Sequence, residues 1–505
     1  MRPHVLVAVA AVPGLGALLG AACSPSTPPV ASPSPSASPS SSTSAPPSAS
    51  VPVAVDPLSK PPAKEGSVTF VPPKIVETKL AAGPKLRVLL VERHELPIVA
   101  VQVVTDRGAT QSPPGRCSFM AAMLQQGTKK HDALAYADEM ERLGARWGSG
   151  CGYDSVNVYG QVLSSKLGAF LPLLAEMVLT PAFDPKEIER ERKKRLTQLK
   201  QQRDLPGAQS WRAVLEVLYP GPHPYSQPTI GDEAAVNAIQ RAELEASRKA
   251  TLVPGTTTIV VVGDVTEATL LPMLGKAFGD WKDPTPAFVE TPAFVSLAPK
   301  GVPILLIDRP GASQSTVSLA RVGEARTTPD WAALHVTNYV FGGHFASRVN
   351  MNLREAHAYT YGAGSSFSMW QMAGPFTVGG EIKTEHTAAA LKEILGELAR
   401  LRSEPVSDDE LAEAKTGLTD QLPGRFSTME ETASSLATLV TYHLPLDEYA
   451  VRPQRYAAVG KDDVLRLAKK YLSLDGARIV VVGDAAKIKP GLEALGVGAV
   501  EVRKP

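Results

Sequence analysis

The chain alternates short apolar runs rich in β-branched residues with longer segments whose apolar positions recur at helical spacing. The apolar runs predict strands at 86–93, 98–104, 304–309 and 315–319. Strand pairs combined with long helical segments favour an α+β fold in which helices pack on mostly antiparallel, mixed sheets. The predicted helical segments are 133–143, 163–179, 185–203, 331–340, 387–402 and 408–422.

The same strand plan occurs twice along the chain. The hexamer IVVVGD stands at both 259–264 and 479–484. Its glycine follows Arg93 by 170 residues in the first half and Arg309 by 174 residues in the second. Matching strands at matching separations predict two homologous modules, which we expect to face each other as a clamshell. The module boundaries are placed at 67–282 and 302–505, with a proline-rich linker at 283–301.

The N-terminal segment has the pattern of an export signal followed by a tether. Residues 1–23 combine a basic start, an uncharged apolar stretch and small residues before Cys23, as secretory signal peptides do. Their end resembles a bacterial lipobox, so we expect a lipid on Cys23; the alternative is an ordinary signal peptide. Residues 24–66 open with an uncharged Ser/Pro-rich stretch and predict a disordered tether. We therefore expect an exported bacterial lipoprotein that faces the periplasm, anchored by lipid alone and most simply in the outer membrane.

The charge and the cysteine content of the chain exclude some classes of protein. The 52 basic and 51 acidic residues leave a formal charge of +1, which argues against a nucleic-acid partner. Three cysteines are too few for a four-cysteine zinc cluster. Cys117 and Cys151 could form a disulfide in an oxidising periplasm or remain two buried free thiols, and the sequence leaves both open.

A series of short motifs runs through both modules in a fixed order. Over residues 67–502 this series resembles the pitrilysin/insulinase-type zinc peptidases, also called inverzincins. The resemblance rests on the set, because any one of these motifs alone is weak. The motifs are Gly127-Thr128, Phe183-Asp184-Pro185, His223-Pro224-Tyr225, FGGHFASR at 341–348, NLRE at 352–355 and YTYG at 359–362.

The resemblance implies a metal site whose ligands this chain lacks. Active relatives carry His-x-x-Glu-His on a helix before Gly-Thr, where two histidines hold zinc and the glutamate activates water. Here the histidine positions fall on Ser118 and Ala122, the catalytic glutamate on Ala121, and the distal glutamate ligand on Gln198. None of the nine histidines forms a pair four residues apart. We therefore predict that this chain binds no zinc and carries no catalytic residue of its own.

Three other polar positions could be mistaken for metal ligands. His94, followed by Glu95, is predicted to lie in a turn between strands. Glu191, which the family retains, is predicted to decorate a charged helix face. His223 is predicted to fix its loop by a hydrogen bond.

The second module keeps what the resemblance identifies as a substrate-binding pair. In active relatives an arginine and a tyrosine seven residues apart hold the substrate backbone and steady the charged oxygen formed during attack. Those positions are Arg354 and Tyr361, although Ala358 stands where the family usually has glycine. The alternative is that Arg354 pairs with a nearby acid and Tyr361 packs in a strand. In the first module, Gly148-Ser149 replaces the usual Asn-Ala on the strand that receives substrate.

The first module lacks the metal ligands, whereas the second keeps the Arg/Tyr pair. In this combination the chain resembles the zinc-less subunit of the family's heterodimers. We expect a subunit that is inactive alone and contributes Arg354 and Tyr361 to a zinc-bearing partner acting on peptides or unfolded proteins. The alternative from another class is a peptide-binding or assembly protein with no role in proteolysis. A peptidase with a non-standard metal site is a third, weaker alternative.

Overall fold

The structure is a computed structural model that describes residues 70–80, 85–282, 284, 286 and 302–504. The expected signal peptide with Cys23, the tether at 24–66 and nearly all of the linker at 283–301 lie outside these residues. Within these ranges, no helix has the length and apolar content needed to cross a membrane. Residues 66–505 group into one compact unit.

Strands of the first half build one sheet. It contains β1 (Val76–Lys79), β2 (Arg87–Glu92), β3 (Ile98–Thr105), β4 (Arg146–Cys151), β5 (Val156–Leu163) and β6 (Thr257–Gly263). The strand order is β1-β2-β6-β3-β5-β4. Only the pairing of β2 with β6 is parallel among these described pairs, and the others are antiparallel.

Strands of the second half build an equivalent sheet. It contains β7 (Ile304–Asp308), β8 (Gln314–Val322), β9 (Thr360–Phe367), β10 (Pro375–Lys383), β11 (Arg478–Gly483) and β12 (Val500–Arg503). In the order β12-β7-β11-β8-β10-β9, five strands repeat the plan of the first sheet, with the two IVVV runs in the equivalent strands β6 and β11. The edge strands differ, because β12 pairs in parallel with β7 whereas β1 pairs antiparallel with β2. The prediction of an α+β fold with two homologous, mostly antiparallel mixed sheets is confirmed.

Helices follow the strands in each half. The first half contains α1 (Arg116–Leu124), α2 (Ala133–Arg142), α3 (Leu167–Leu179), α4 (Pro185–Asp204), α5 (Pro206–Leu218), α6 (Glu233–Ala238), α7 (Arg241–Thr251) and α8 (Glu267–Phe278). The second half contains α9 (Trp331–Asn338), α10 (Arg348–Asn350), α11 (Thr387–Ser403), α12 (Asp408–Asp420), α13 (Met429–Thr441), α14 (Glu448–Ala457), α15 (Lys461–Tyr471) and α16 (Ala485–Ala494). Two π-helical turns, Tyr339–Gly343 and Met351–Ala356, flank α10.

Local sequence signals explain where several helices begin. Asp184 caps α4 by accepting a hydrogen bond from the Lys186 amide, with Pro185 at the first helical position. Ser407 and Glu410 form a capping box at α12. The helix predicted at 163–179 starts later than expected, because Leu163 still belongs to β5 and a 3₁₀ turn at Ser164–Lys166 precedes α3.

Each sheet is covered on one face by a helix from the other half of the chain. One face of each sheet packs on helices of its own half. The other face of the first sheet is covered by α13 of the second half, and that of the second sheet by α5 of the first half. Burial on both faces explains why the central strands are apolar throughout instead of alternating.

A buried polar joint connects the halves at the end of α5. The Tyr225 hydroxyl donates to Asp154 Oδ1 at 2.8 Å, and the backbone amide of Gln371 donates to Asp154 Oδ2 at 3.0 Å. His223 Nδ1 accepts from the Tyr225 amide at 3.1 Å, which confirms the predicted loop-fixing role of that histidine. Burial raises the pKa of Asp154 to about 6, because no cation neutralises its carboxylate there.

Candidate functional site

Helices α1 and α4 bring the degenerate metal positions into one region. Ser118, Ala121 and Ala122 lie on α1, where Ala121 is buried and the other two are partly exposed. Gln198 lies on α4 and is exposed. A hydroxyl, two methyl groups and an exposed neutral amide do not fit zinc, which prefers imidazole, thiolate and carboxylate ligands. In the described part of the chain, no group of three or more His, Cys, Asp and Glu side chains could hold a metal ion.

An arginine side chain stands beside these positions. Arg195 on α4 donates from Nη1 to Ser118 Oγ at 3.0 Å and from Nη2 to the Ser118 carbonyl at 2.7 Å. Its Nε donates to Glu191 Oε1 at 2.9 Å. The guanidinium also lies 5.0 Å from the centre of the Phe119 ring. A buried internal cation is therefore bonded to the residue that replaces a zinc ligand.

The prediction for Glu191 is wrong. Its side chain is only 8% exposed, so it does not decorate a solvated helix face. It forms a buried pair with Arg195 one helical turn later, and burial lowers the pKa of Arg195 while Glu191 opposes that shift. Glu191 is therefore the buried counterion of Arg195.

The edge strand β4 is fastened to α1. Cys117 on α1 and Cys151 on β4 form a disulfide, which resolves the alternative that the sequence left open. Ser149 Oγ donates to the Ala121 carbonyl at 2.6 Å, and Gln125 Nε2 donates to Ser149 Oγ at 3.1 Å and to the Ser149 carbonyl at 3.3 Å. Strand addition by a peptide would have to compete with these side-chain contacts.

Arg354 lies on the π-helical turn Met351–Ala356 and is exposed. Its Nε is 3.1 Å from Glu355 Oε1, and its guanidinium stacks 4.7 Å from the centre of the Phe345 ring. The two Nη groups of Arg354 have no hydrogen-bond partner among the residues that the structure describes. The ion pair with a nearby acid that the alternative expected is therefore present, and it leaves both Nη groups of Arg354 available to a ligand.

Tyr361 is the second residue of the edge strand β9. It belongs to a strand as the alternative stated, but its side chain is not packed, because Tyr361 is 84% exposed. The register of β9 on β10 shifts between Gly380 and Ile382, opposite this residue. Ala358, just before the strand, adopts φ +54°, which explains the usual glycine at this position. The turn is nevertheless formed with alanine.

Two features of the site had only partial signals in the sequence. The Glu191/Arg195 spacing of four residues on a helix is that of an ion pair and could have suggested this contact. Phe345 lies within the FGGHFASR motif, but nothing in that motif indicates that its ring stacks with Arg354. The turn position of His94 is confirmed, and its Nδ1 lies 2.8 Å from Asp264 Oδ1.

Comparison with family models gives two adjacent matches. Residues 87–223 match the model described as Insulinase (Peptidase family M16), and residues 238–418 match the Peptidase M16 inactive domain. Together the two ranges span more than half of the chain.

Sequence relatives are named as zinc proteases. An uncharacterized zinc protease of Mycobacterium tuberculosis is 25% identical over 318 residues, which cover 62% of this chain and 69% of that protein. One of Bacillus subtilis is 23% identical over 411 residues, covering 78% of this chain and 96% of that protein.

Solved structures share the fold. A peptidase M16 inactive domain from Pseudomonas fluorescens is 28% identical with a TM-score of 0.74, covering 81% of this chain and 98% of that one. A protease from Helicobacter pylori matches with a TM-score of 0.72 and 20% identity, covering 81% and 99% of the two chains. The latter likeness concerns the fold alone.

Proposed function

Since this chain belongs to the M16 (insulinase) family of peptidases, we propose that it is the zinc-less subunit of a peptidase heterodimer. In this proposal the chain supplies Arg354 and Tyr361 to a chamber shared with a zinc-bearing partner of the same family. The substrates are peptides or unfolded proteins. The chain alone has no peptidase activity.

The observation that carries the proposal is the difference between the two candidate regions. Around Ser118 the hydrogen-bonding groups are satisfied internally by Arg195 and leave no ligand set for zinc. Around Arg354 the guanidinium keeps two free Nη groups, and Tyr361 presents an exposed hydroxyl. A generally decayed enzyme would have no reason to keep such donors at the surface of a turn and an edge strand.

The chemistry of these two residues suits substrate positioning. A guanidinium can donate two parallel hydrogen bonds to a carbonyl or carboxylate, and stacking on Phe345 limits its rotation. A tyrosine hydroxyl next to an edge strand can donate to the same extended backbone. Donors that meet the oxygen on which negative charge develops contribute roughly 3–4 kcal/mol each to catalysis. The partner's zinc would supply the activated water.

We also propose that the protein is exported and anchored by a lipid on Cys23, at the periplasmic side of a membrane. The Cys117–Cys151 disulfide supports an oxidising compartment, since stable disulfides are rare in the cytosol. Growth with labelled palmitate and a Cys23→Ser variant test the anchor. Label that persists in the variant contradicts it.

The test of the proposed function is turnover of the reconstituted complex. Arg354→Gln or Tyr361→Phe should lower kcat/KM of the complex by roughly 10²-fold, the scale of losing one positioned donor. Arg142→Gln, an exposed arginine on α2 of the first half, is the matched control and should leave turnover unchanged. Unchanged turnover in both site variants, or stoichiometric zinc and peptide cleavage in the isolated chain, contradicts the proposal.

A peptide-binding or assembly role remains the second candidate, because β9 is an edge strand whose residues near Tyr361 are exposed. An edge strand can hold an extended peptide by strand addition. Saturable peptide binding without any co-purifying peptidase, and no gain of activity with a zinc-bearing family member, would favour this role.

A further inference from the structure

Arg354 and Tyr361 reach the surface from separate elements. Arg354 lies on the turn Met351–Ala356, and Tyr361 lies at the start of β9. No hydrogen bond in the described chain joins the two side chains directly. Two donors can serve one substrate only if each is kept within about 0.5 Å of its productive place, so other residues must hold the turn and the strand together.

Asn350 connects the segments that carry this pair. It is the last residue of α10, directly before the turn Met351–Ala356, and it is 4% exposed. Its Nδ2 donates to the Phe345 carbonyl at 2.7 Å, and its Oδ1 accepts from the Ala363 amide at 3.0 Å. One side chain therefore joins the loop before α10, the start of the turn and the strand β9.

Both partners of the Asn350 side chain are backbone groups, which fixes the orientation of its amide. A carbonyl only accepts and an amide N–H only donates, so the side-chain amide cannot be turned over without losing both hydrogen bonds. The partners lie 5 residues before and 13 residues after Asn350 in the sequence. The side chain therefore does not close a turn of its own, as asparagines in loops often do.

One hydrogen bond of Asn350 acts on the surroundings of Arg354. The Phe345 ring is 56% exposed, and the Arg354 guanidinium lies 4.7 Å from its centre. By binding the Phe345 carbonyl, Asn350 restricts the backbone that places this ring. The ring in turn restricts the directions in which Arg354 presents its Nη groups, because a guanidinium stacks on an aromatic face.

The other hydrogen bond of Asn350 acts next to Tyr361. Gly362 is the one residue between Tyr361 and Ala363, and Thr360 holds it from the other side. Thr360 Oγ1 accepts from the Gly362 amide at 3.0 Å and donates to the Glu381 carbonyl at 2.6 Å. The backbone at Tyr361 is therefore fixed on both sides, although the side chain is 84% exposed.

We propose that Asn350 is a positioning residue, which sets the separation and the direction of Arg354 and Tyr361 without touching the substrate. The proposal rests on the proposed function, because it gives Asn350 a part in turnover by the complex.

Asn338 provides a matched control on the same strand. Its Oδ1 accepts from Ser365 Oγ at 2.8 Å, and its Nδ2 donates to the Ser365 carbonyl at 3.2 Å. Asn338 thus also forms two hydrogen bonds to β9, but it fastens the strand to α9 and not to the turn that carries Arg354. Loss of either asparagine loosens β9, whereas only loss of Asn350 should disturb the pair.

Steady-state kinetics of the reconstituted complex test the proposal. Asn350→Ala should lower kcat/KM by at least about tenfold, because a displacement of about 1 Å in a positioned group can cost roughly 10²-fold. Asn338→Ala should stay within about twofold of the wild type, the usual scatter between independent sites. In a chain that already carries Arg354→Gln, the further loss caused by Asn350→Ala should shrink to less than about threefold, because the separation of two donors no longer has to be kept. Mere loss of folded protein would lower turnover equally in both backgrounds.

Melting temperatures identify a variant that fails to fold. Should Asn350→Ala melt well below Asn338→Ala, Asn350→Asp takes its place, since it keeps the size and the acceptor for Ala363 and loses only the donor to Phe345. Unchanged kcat/KM, an equal loss in Asn338→Ala, or an equal loss with and without Arg354→Gln overturns this inference alone, provided that Arg354→Gln itself lowers turnover. No effect of Arg354→Gln and Tyr361→Phe overturns the proposed function, and this inference with it.

Discussion

Two regions built on the same repeated plan have reached opposite states in this molecule. In the first half, α1 and α4 enclose a buried arginine, a buried glutamate and a disulfide, and their polar groups bond to one another. In the second half, the turn Met351–Ala356 presents Arg354, whose two Nη groups have no hydrogen-bond partner in the described chain, and β9 presents the exposed Tyr361. Hydrogen bonds inside the protein stabilise a buried polar region, whereas exposed donors bond to water and stay available for a ligand. The difference therefore separates a scaffold region from a recognition region.

The largest expected effect concerns zinc. The fourfold variant Ser118→His, Ala121→Glu, Ala122→His and Gln198→Glu restores the ligand set of active relatives. With Arg195 retained, it should bind zinc at least about a thousandfold more weakly than with Arg195→Leu added. A neighbouring unit charge about 4 Å away costs about 4 kcal/mol at the dielectric typical of proteins.

Chelator competition and metal analysis by mass spectrometry measure this difference. The Arg195→Leu single variant is the control and should bind no zinc. Equal zinc affinity with and without Arg195 would show that the Arg195 guanidinium does not prevent zinc binding. That result would contradict the description of α1 and α4 as a scaffold region.

The next effect compares two arginines by stability. Arg195→Met removes one member of a buried ion pair and leaves Glu191 without its main counterion. The free energy of unfolding should therefore fall by about 3–5 kcal/mol. Arg354→Met changes an exposed side chain and should stay within about 0.5 kcal/mol. Urea unfolding of both variants gives the two values. Similar losses would mean that Arg354 is structural and not held for binding.

Much of the fold could be predicted from the sequence because the central strands are unusually apolar. Exchange of α5 and α13 buries both faces of β6 and β11, and this burial is why IVVV stands twice in the chain. The apolar pattern did not predict the edge strands β4 and β9, since RWGSGC and TYGAGSSF contain glycine and serine where an apolar alternation would be expected. Only the resemblance placed Gly148-Ser149 in a strand.

The candidate site was predictable only where a resemblance supplied positions. The resemblance placed Ser118 on a helix, where the structure has it, whereas the prediction that Glu191 lies on a solvated helix face was wrong. A charged helix face and a buried ion pair have the same sequence pattern, and only the packing of α4 on α1 separates them.

The next prediction concerns the Cys117–Cys151 disulfide, which links α1 to β4. A Cys117→Ser/Cys151→Ser variant should lose roughly 2–4 kcal/mol of unfolding free energy, because the bridge closes a loop with a sequence separation of 34. Turnover of the complex should change little, since Arg354 and Tyr361 lie in the other half. A loss of turnover comparable to that of Arg354→Gln would instead couple α1 to the recognition region.

The last prediction concerns Asp154 in the buried joint between the halves and depends on pH. The folded-state pKa of Asp154 is raised from 3.8 to about 6, which corresponds to about 3 kcal/mol. The proton binds more tightly in the folded state, so this contribution to stability is full below pH 4 and is lost as the pH rises through 6. Tyr153, Tyr225 and Tyr442 face this carboxylate, and the raised pKa of His443 beside Asp106 adds a trend in the same direction.

Asp154→Asn removes the titrating group and leaves His443 in place. The stability difference between this variant and the wild type should therefore move by up to about 3 kcal/mol in favour of the variant between pH 4 and pH 7.5. Urea unfolding at several pH values measures it, and Asp138→Asn, which changes an exposed aspartate on α2, serves as the matched control. A difference that stays constant with pH would mean that Asp154 ionises in the folded protein as readily as in the unfolded chain, and that the joint accommodates its buried charge.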